Sequence, residues 1–179
     1  MTSDAPPPAA PAPAELRPGA DWLVLHSRPR CEKKILDACE RNHMPAYLPL
    51  LIRKHVYGGR VRHHSVPLFP GYLFCAADKD QRRFLAQNDL VANVLTDARP
   101  EILRAQIQQL RTALDAGAAV EVLPYIVAGK TVRILGGMLK GTEGVVQNIK
   151  GRDRVILNIE LIGQSVAVEL DGALLAPVN

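Results

Sequence analysis

The sequence predicts an α+β protein in two parts: an N-terminal α/β sandwich, with helices flanking an antiparallel sheet, followed by a small C-terminal five-stranded β-barrel. Three observations lead there. Between Trp22 and Leu114, apolar runs of strand character alternate with stripes of helical period. After residue 130 the period becomes two: Val155, Leu157, Ile159 and Leu161 alternate with Arg154, Ile156, Asn158 and Glu160, and Val166, Val168 and Leu170 with Ser165, Ala167 and Glu169. Between these regimes lies a weakly patterned stretch carrying Pro124. The expected divisions are a Pro/Ala-rich tail over 1–20, a first domain over 21–117, a linker over 118–128 and a barrel over 129–179.

Residues 1–20 contain six Pro and six Ala, too little apolar surface to repay ordering, which predicts a disordered tail. Trp22-Leu23-Val24-Leu25-His26 reads as a buried strand. Ser27 can then cap a helix that tolerates Pro29 in its first turn and runs from Arg30 to Arg41, with Cys31, Ile35, Ala38 and Cys39 as its apolar stripe. Pro45 and Pro49 forbid its continuation. Tyr57-Gly58-Gly59-Arg60 is a turn signal between two basic runs, so residues 51–66 form a projecting β-hairpin. Phe69-Pro70-Gly71 is a second turn, leading into a central strand at Tyr72 to Cys75. A short helix at Gln81 to Ala86 and a strand at Leu90 to Leu95 follow. Pro100 opens the clearest helix, in which Leu103, Ile107, Leu110 and Leu114 keep the 3.6 period and Gly117 is the stop. Beyond the linker, Thr131 to Leu135, Thr142 to Ile149 and the two alternating runs, joined by a turn at Ile162-Gly163-Gln164, supply the strands of the barrel.

The net charge is only +4, but its distribution is one-sided: from Arg41 to Cys75 there is no Asp or Glu. That stretch holds Arg41, Arg53, Lys54, Arg60 and Arg62, with His43, His55, His63 and His64, and points to an anionic neighbour such as nucleic acid or to a solvated basic hairpin. No apolar run spans a bilayer and no signal peptide opens the chain, so the expected location is the cytoplasm. The three cysteines, Cys31, Cys39 and Cys75, form no Cys-x-x-Cys pair and read as small buried hydrophobes. Gly-x-Ser-x-Gly, His-Glu-x-x-His and a P-loop are all missing. His63-His64 has no acidic or Cys neighbour to complete a metal site, and adjacent strand residues point to opposite faces. The expectation is a non-enzymatic protein with no cofactor and no metal.

Two segments resemble one family. Pro67-Leu68-Phe69-Pro70-Gly71-Tyr72-Leu73-Phe74, 45 residues after Trp22, resembles the signature of the NusG N-terminal (NGN) domain, in a form especially similar to RfaH-like paralogues. Gly129-Lys130-Thr131-Val132-Arg133-Ile134 through Gly136-Gly137-Met138-Leu139-Lys140-Gly141-Thr142-Glu143-Gly144-Val145-Val146 resembles a KOW motif of an SH3-like barrel, and Val166 to Asp171 resembles that barrel's last strands.

The resemblance implies a transcription elongation and antitermination factor. Such a protein docks an apolar surface of its first domain on the coiled-coil clamp helices of bacterial RNA polymerase and suppresses pausing. Its KOW domain recruits a second partner, a small-subunit ribosomal protein or Rho. By motif position, Trp22, Phe69, Pro70 and Tyr72 form or support the polymerase-binding surface. Trp22 and Tyr72 fit the core equally well, whereas Phe69, held in a Pro-Gly turn, is expected to be exposed. Met138 and Leu139 lie in the loop that meets the second partner. Arg30, Lys33, Lys34, Arg53, Lys54, Arg60 and Arg62 would face DNA of the elongation complex, touching phosphates; a specialist could instead read one unpaired base with His26, Arg28 or Arg30. The period-two, β-branched stretch 155–170 favours a permanent barrel over the helical hairpin of some RfaH-type proteins. A monomer is expected. Housekeeping and operon-specific roles remain open at this point. The rival reading is a ribosome-associated or RNA-binding KOW protein, which would bind ribosomes and not polymerase.

Overall fold

The computed structural model describes residues 16–57, 60–125, 129–136, 140–149, 152–169 and 175–178. Most of the 1–20 tail, the Gly58-Gly59 turn tip, and Met138 and Leu139 therefore lie outside the described residues. The chain divides into two compact units, at Thr96 and Asp97.

The first unit is a four-stranded antiparallel sheet with two helices and a separate hairpin. In chain order it has β1 (Asp21–Ser27), α1 (Glu32–Arg41), β2 (Ala46–Tyr47), β3 (Leu50–Tyr57), β4 (Arg60–Pro67), β5 (Tyr72–Ala77), α2 (Lys79–Ala86) and β6 (Val91–Leu95). The sheet order is β2-β5-β1-β6, and among the described residues β3 pairs only with β4. The central register sets Leu23 opposite Cys75 and Leu25 opposite Leu73. These residues share one face, and it packs on Ile35 and Cys39 of α1 and Leu85 of α2, all fully buried. Strand alternation sends Trp22, Val24, Phe74 and Ala76 to the opposite face, where they too are buried.

Helix α1 starts later than the sequence suggested. Its N-cap is Cys31, which makes no side-chain cap, and Ser27 is the last residue of β1. Arg30 sits in the left-handed region at φ 62°, which no α-helix allows. Residues 28–31 instead form a turn closed by the Cys31 N–H donating to the Arg28 carbonyl at 3.1 Å. Of the three cysteines, Cys39 and Cys75 are buried, but Cys31 is only half-buried. Cys75 Sγ donates to the Ala76 carbonyl at 3.6 Å; the interaction between the two buried thiols lowers the Cys39 pKa and, with burial, raises that of Cys75.

Helix α2 has a full capping box. The Asp78 carboxylate accepts from the Asp80 and Gln81 N–H groups at 3.0 and 2.9 Å, and Gln81 Oε1 accepts from the Asp78 N–H at 3.0 Å. Asp78→Ala should therefore cost about 1 kcal/mol, read as a shifted urea midpoint at unchanged slope.

The second unit holds α3 (Pro100–Asp115), β7 (Val120–Pro124), β8 (Lys130–Ile134), β9 (Glu143–Ile149), β10 (Arg152–Ile159), β11 (Gln164–Glu169) and β12 (Leu175–Pro177). Pro100 occupies the first turn of α3, and Gly117 ends the segment at φ 68°, as its sequence suggests. The six strands form one antiparallel sheet in the order β12-β8-β9-β10-β11-β7.

Two expectations need correction. Within the expected linker over 118–128, Val120–Pro124 form a strand and not irregular chain: β7 pairs with β11, Val122 opposite Val166, and Arg154 forms an ion pair with Glu121. Nor is the sheet a closed five-stranded barrel: it has six strands, and no ladder joins β7 to β12 among the described residues. The alternation in β10 is overridden as well. Ile156, expected on a polar face, is 1% exposed. Helix α3 packs on β10, so this strand is covered on both sides. Gln106 Oε1, on α3, accepts the Glu160 N–H at 3.2 Å.

These contacts predict how the chain can be cut. A fragment of residues 97–179 should unfold cooperatively. One of residues 125–179 lacks both α3 and β7 and should melt at least 10 °C lower, or stay unfolded, by circular dichroism. Equal melting temperatures would show that α3 and β7 contribute nothing to this unit.

Candidate functional site

Strand pairing brings an aromatic cluster together on the sheet face opposite α1 and α2. His26 and Tyr72 are register partners, and their rings stack with centroids 4.9 Å apart at 18°. Tyr47, opposite Phe74, stacks on that ring at 6.3 Å, while Phe69 meets it edge-on at 6.3 Å and 86°. Trp22 lies on the same face and is 6% exposed, so it is a core residue.

Phe69 corrects the sequence expectation most sharply. It is fully buried, not an exposed tip. The turn folds inward because the Leu68 N–H donates to the Pro49 carbonyl at 2.8 Å and the Tyr72 N–H to the Phe69 carbonyl at 3.0 Å. Pro70 is the exposed member of the motif, and Tyr72 is half-buried.

Beside this cluster opens a cleft of about 760 Å³, lined by His26 to Arg30, Glu32, Pro70, Gly71, Val91 and Ala92. Gly71 forms its hinge at φ 86°, a conformation that disfavours a side chain. Its N–H donates to Glu32 Oε1 at 2.8 Å, and its carbonyl accepts the Ser27 N–H at 2.8 Å. Glu32 is 8% exposed. Sequence reasoning missed Glu32, Tyr47 and the pairing of His26. The hydrogen bond from Gly71 to Glu32 spans 39 residues and leaves no sequence signal, but the period-two runs could have set His26 against Tyr72.

The basic residues are spread over two elements. Lys33 and Lys34 are exposed on α1, and Lys33 Nζ donates to the Ser65 carbonyl and to its Oγ, both at 3.3 Å, tying α1 to β4. Arg28 and Arg30 are exposed in the turn before α1, and Arg53 is exposed on β3, opposite His64. Lys54, Arg60 and Arg62 hold register positions in the hairpin, and their side chains lie outside the described residues. No group of His, Cys, Asp and Glu suited to a metal occurs among the described residues. No helix among them is long and apolar enough to cross a membrane.

A family model described as transcription termination factor nusG matches residues 20–111, just over half of the chain. The chain belongs to the NusG family. The match runs from β1 into α3 and includes every residue of the aromatic cluster and the cleft. Membership makes the protein a transcription elongation or termination factor, of a family that binds RNA polymerase. No curated protein matches the sequence.

Proposed function

We propose that this NusG-family protein binds elongating bacterial RNA polymerase through its first unit, suppresses pausing and termination, and recruits a second factor through a KOW-type second unit. The observation that carries this reading is the family match over the whole aromatic cluster. The half-buried stack of His26 on Tyr72, with exposed Pro70 beside it, offers a rigid apolar contact for the polymerase clamp helices. Trp22 and Phe69 support that surface from beneath. In the second unit, Met138 and Leu139 meet a small-subunit ribosomal protein or Rho. The protein works as a cytoplasmic, non-enzymatic monomer. The test of the polymerase contact is Tyr72→Ala, which should weaken capture of polymerase about tenfold or more, on the order of 2 kcal/mol. Capture at full strength by the folded variant would reject this surface.

Lys33, Lys34 and the hairpin cations Arg53, Lys54, Arg60 and Arg62 line the path of DNA in the elongation complex. Phosphate contacts release counterions, so binding weakens with salt. Changing Lys33, Lys34, Arg60 and Arg62 to Ala should lower DNA crosslinking and pause suppression at low salt and flatten the salt dependence. Wild-type behaviour at both low and moderate salt would mean that these charges only solvate the surface.

A further inference from the structure

We propose that Lys33 is a positioning residue: it fixes the β3–β4 hairpin against α1 and, with Glu32, braces the hairpin to the turn that carries Pro70 and Tyr72. The hairpin needs such a fixture. Among the described residues β3 and β4 form a two-stranded sheet of their own, and a lone hairpin is marginal in water. Its root is anchored, because Leu48 and Leu68 are buried and the Leu68 N–H donates to the Pro49 carbonyl at 2.8 Å. Beyond the root the apolar packing stops. Ile52 is 75% exposed and Val61 57%, and Arg53, His63 and His64 are exposed too. Burial therefore does not set the direction of the arm, and polar ties must. Lys33 supplies one where the packing ends. Its Nζ donates to the carbonyl and the Oγ of half-buried Ser65, both at 3.3 Å, and Ser65 stands opposite Ile52. No strand covers the other edge of β4 among the described residues, so the ammonium takes a carbonyl that a strand's N–H would otherwise meet. Two of its three N–H donors are engaged in this way, which suits a tether better than a phosphate contact.

The preceding residue makes the matching tie. Glu32, 8% exposed, accepts the Gly71 N–H at 2.8 Å. Ser65 and Gly71 bracket one segment, with Leu68 and Phe69 buried between them. Two successive residues at the start of α1 thus hold both of its ends. Successive side chains leave a helix about 100° apart, so one turn can reach in both directions. Because the Ser65 hydroxyl faces Lys33, strand alternation turns the opposed pair Arg53 and His64 to the face away from α1. The hairpin cations and the Tyr72 surface are then held in one geometry before any partner arrives, and binding need not order them. Lys33 serves DNA binding by aiming the hairpin, not by meeting a phosphate. That role rests on the DNA contact proposed above; the brace itself does not.

The test compares the full chain with Lys33→Met, Lys33→Arg, Ser65→Ala and the double variant of Lys33→Met with Ser65→Ala. Met keeps the aliphatic stem and the helix propensity, so the melting temperature should not change. Without polymerase, amide ¹⁵N relaxation should show the order parameters of Ile52, Arg53, Val61, His63 and His64 falling in Lys33→Met from the rigid value of about 0.85 towards about 0.6. Those of α1 and β5 should hold, and Lys33→Arg should keep the hairpin rigid. On an assembled elongation complex, crosslinking of the hairpin to DNA should drop about threefold or more in Lys33→Met. The drop should be equal at low and moderate salt, because no phosphate contact is lost. Ser65→Ala should give a smaller loss, and the double variant should be no worse than Lys33→Met, as expected for two residues that share one contact. A hairpin as rigid in Lys33→Met as in the wild type would overturn the brace. So would a flattened salt dependence in Lys33→Met together with wild-type behaviour of Ser65→Ala, which would make Lys33 a phosphate contact. A loosened hairpin in Lys33→Met, with no crosslinking to DNA even by the wild type, would uphold the brace and reject the DNA contact instead.

Discussion

Replacing Phe69 by Ala is expected to lower the stability of the protein by about 3–5 kcal/mol, the range for deleting a buried aromatic ring. The ring is fully buried and meets Phe74 edge-on, and Phe74 in turn stacks on Tyr47. Removing it opens a cavity beneath the turn that carries Pro70, Gly71 and Tyr72, so polymerase binding should fall as a consequence of lost order. Urea unfolding gives the first quantity, and polymerase capture at a temperature where the variant remains folded gives the second. A variant of wild-type stability that fails to bind polymerase would mean that Phe69 contacts the partner directly and that the buried arrangement is wrong.

Gly144→Ala should be nearly as damaging, at about 3 kcal/mol, the upper end for overpacking. A Cβ at this position of β9 would lie 2.5 Å from Val155 Cγ1 and 2.7 Å from the Ile156 carbonyl oxygen. The oxygen belongs to the β10 backbone and cannot swing aside as a side-chain end could. The strand must shift, and with it the paired positions Ile156 with Val145 and Val155 with Val146. Thermal unfolding of the 97–179 fragment measures this effect. A loss below about 1 kcal/mol, smaller than typical overpacking costs, would show that the β9–β10 pairing is looser than described.

What the sequence disclosed was local. β1, the hairpin of β3 and β4, β5 and α3 follow from period and turn chemistry within a few residues, and they appear close to their expected bounds. β7 was missed because Val120 to Pro124 sits between an Ala/Gly-rich stretch and a proline; it becomes a strand only through pairing with β11, more than 40 residues away. Ile156 was assigned to a polar face because the alternation of its own strand says so, and it is buried where α3 packs on that strand. Phe69 was read as exposed because prolines on both sides suggest a surface turn, but hydrogen bonds to Pro49 and Tyr72 turn it inward. The site was legible as a motif and not as a geometry. The Pro-Gly-Tyr turn is visible in the sequence, whereas its hydrogen bond to Glu32 and the stack of Tyr72 on His26 depend on strand register.

The central claim is that a NusG-family protein acts here on elongating RNA polymerase. Its most direct test is the dwell time of polymerase at a defined pause on an assembled nucleic-acid scaffold, with and without the purified full chain. The account predicts that the chain co-elutes with the elongation complex and shortens the dwell, and that Tyr72→Ala abolishes both effects. Unchanged dwell times with no co-elution, alongside firm binding of the same preparation to ribosomes, would contradict it.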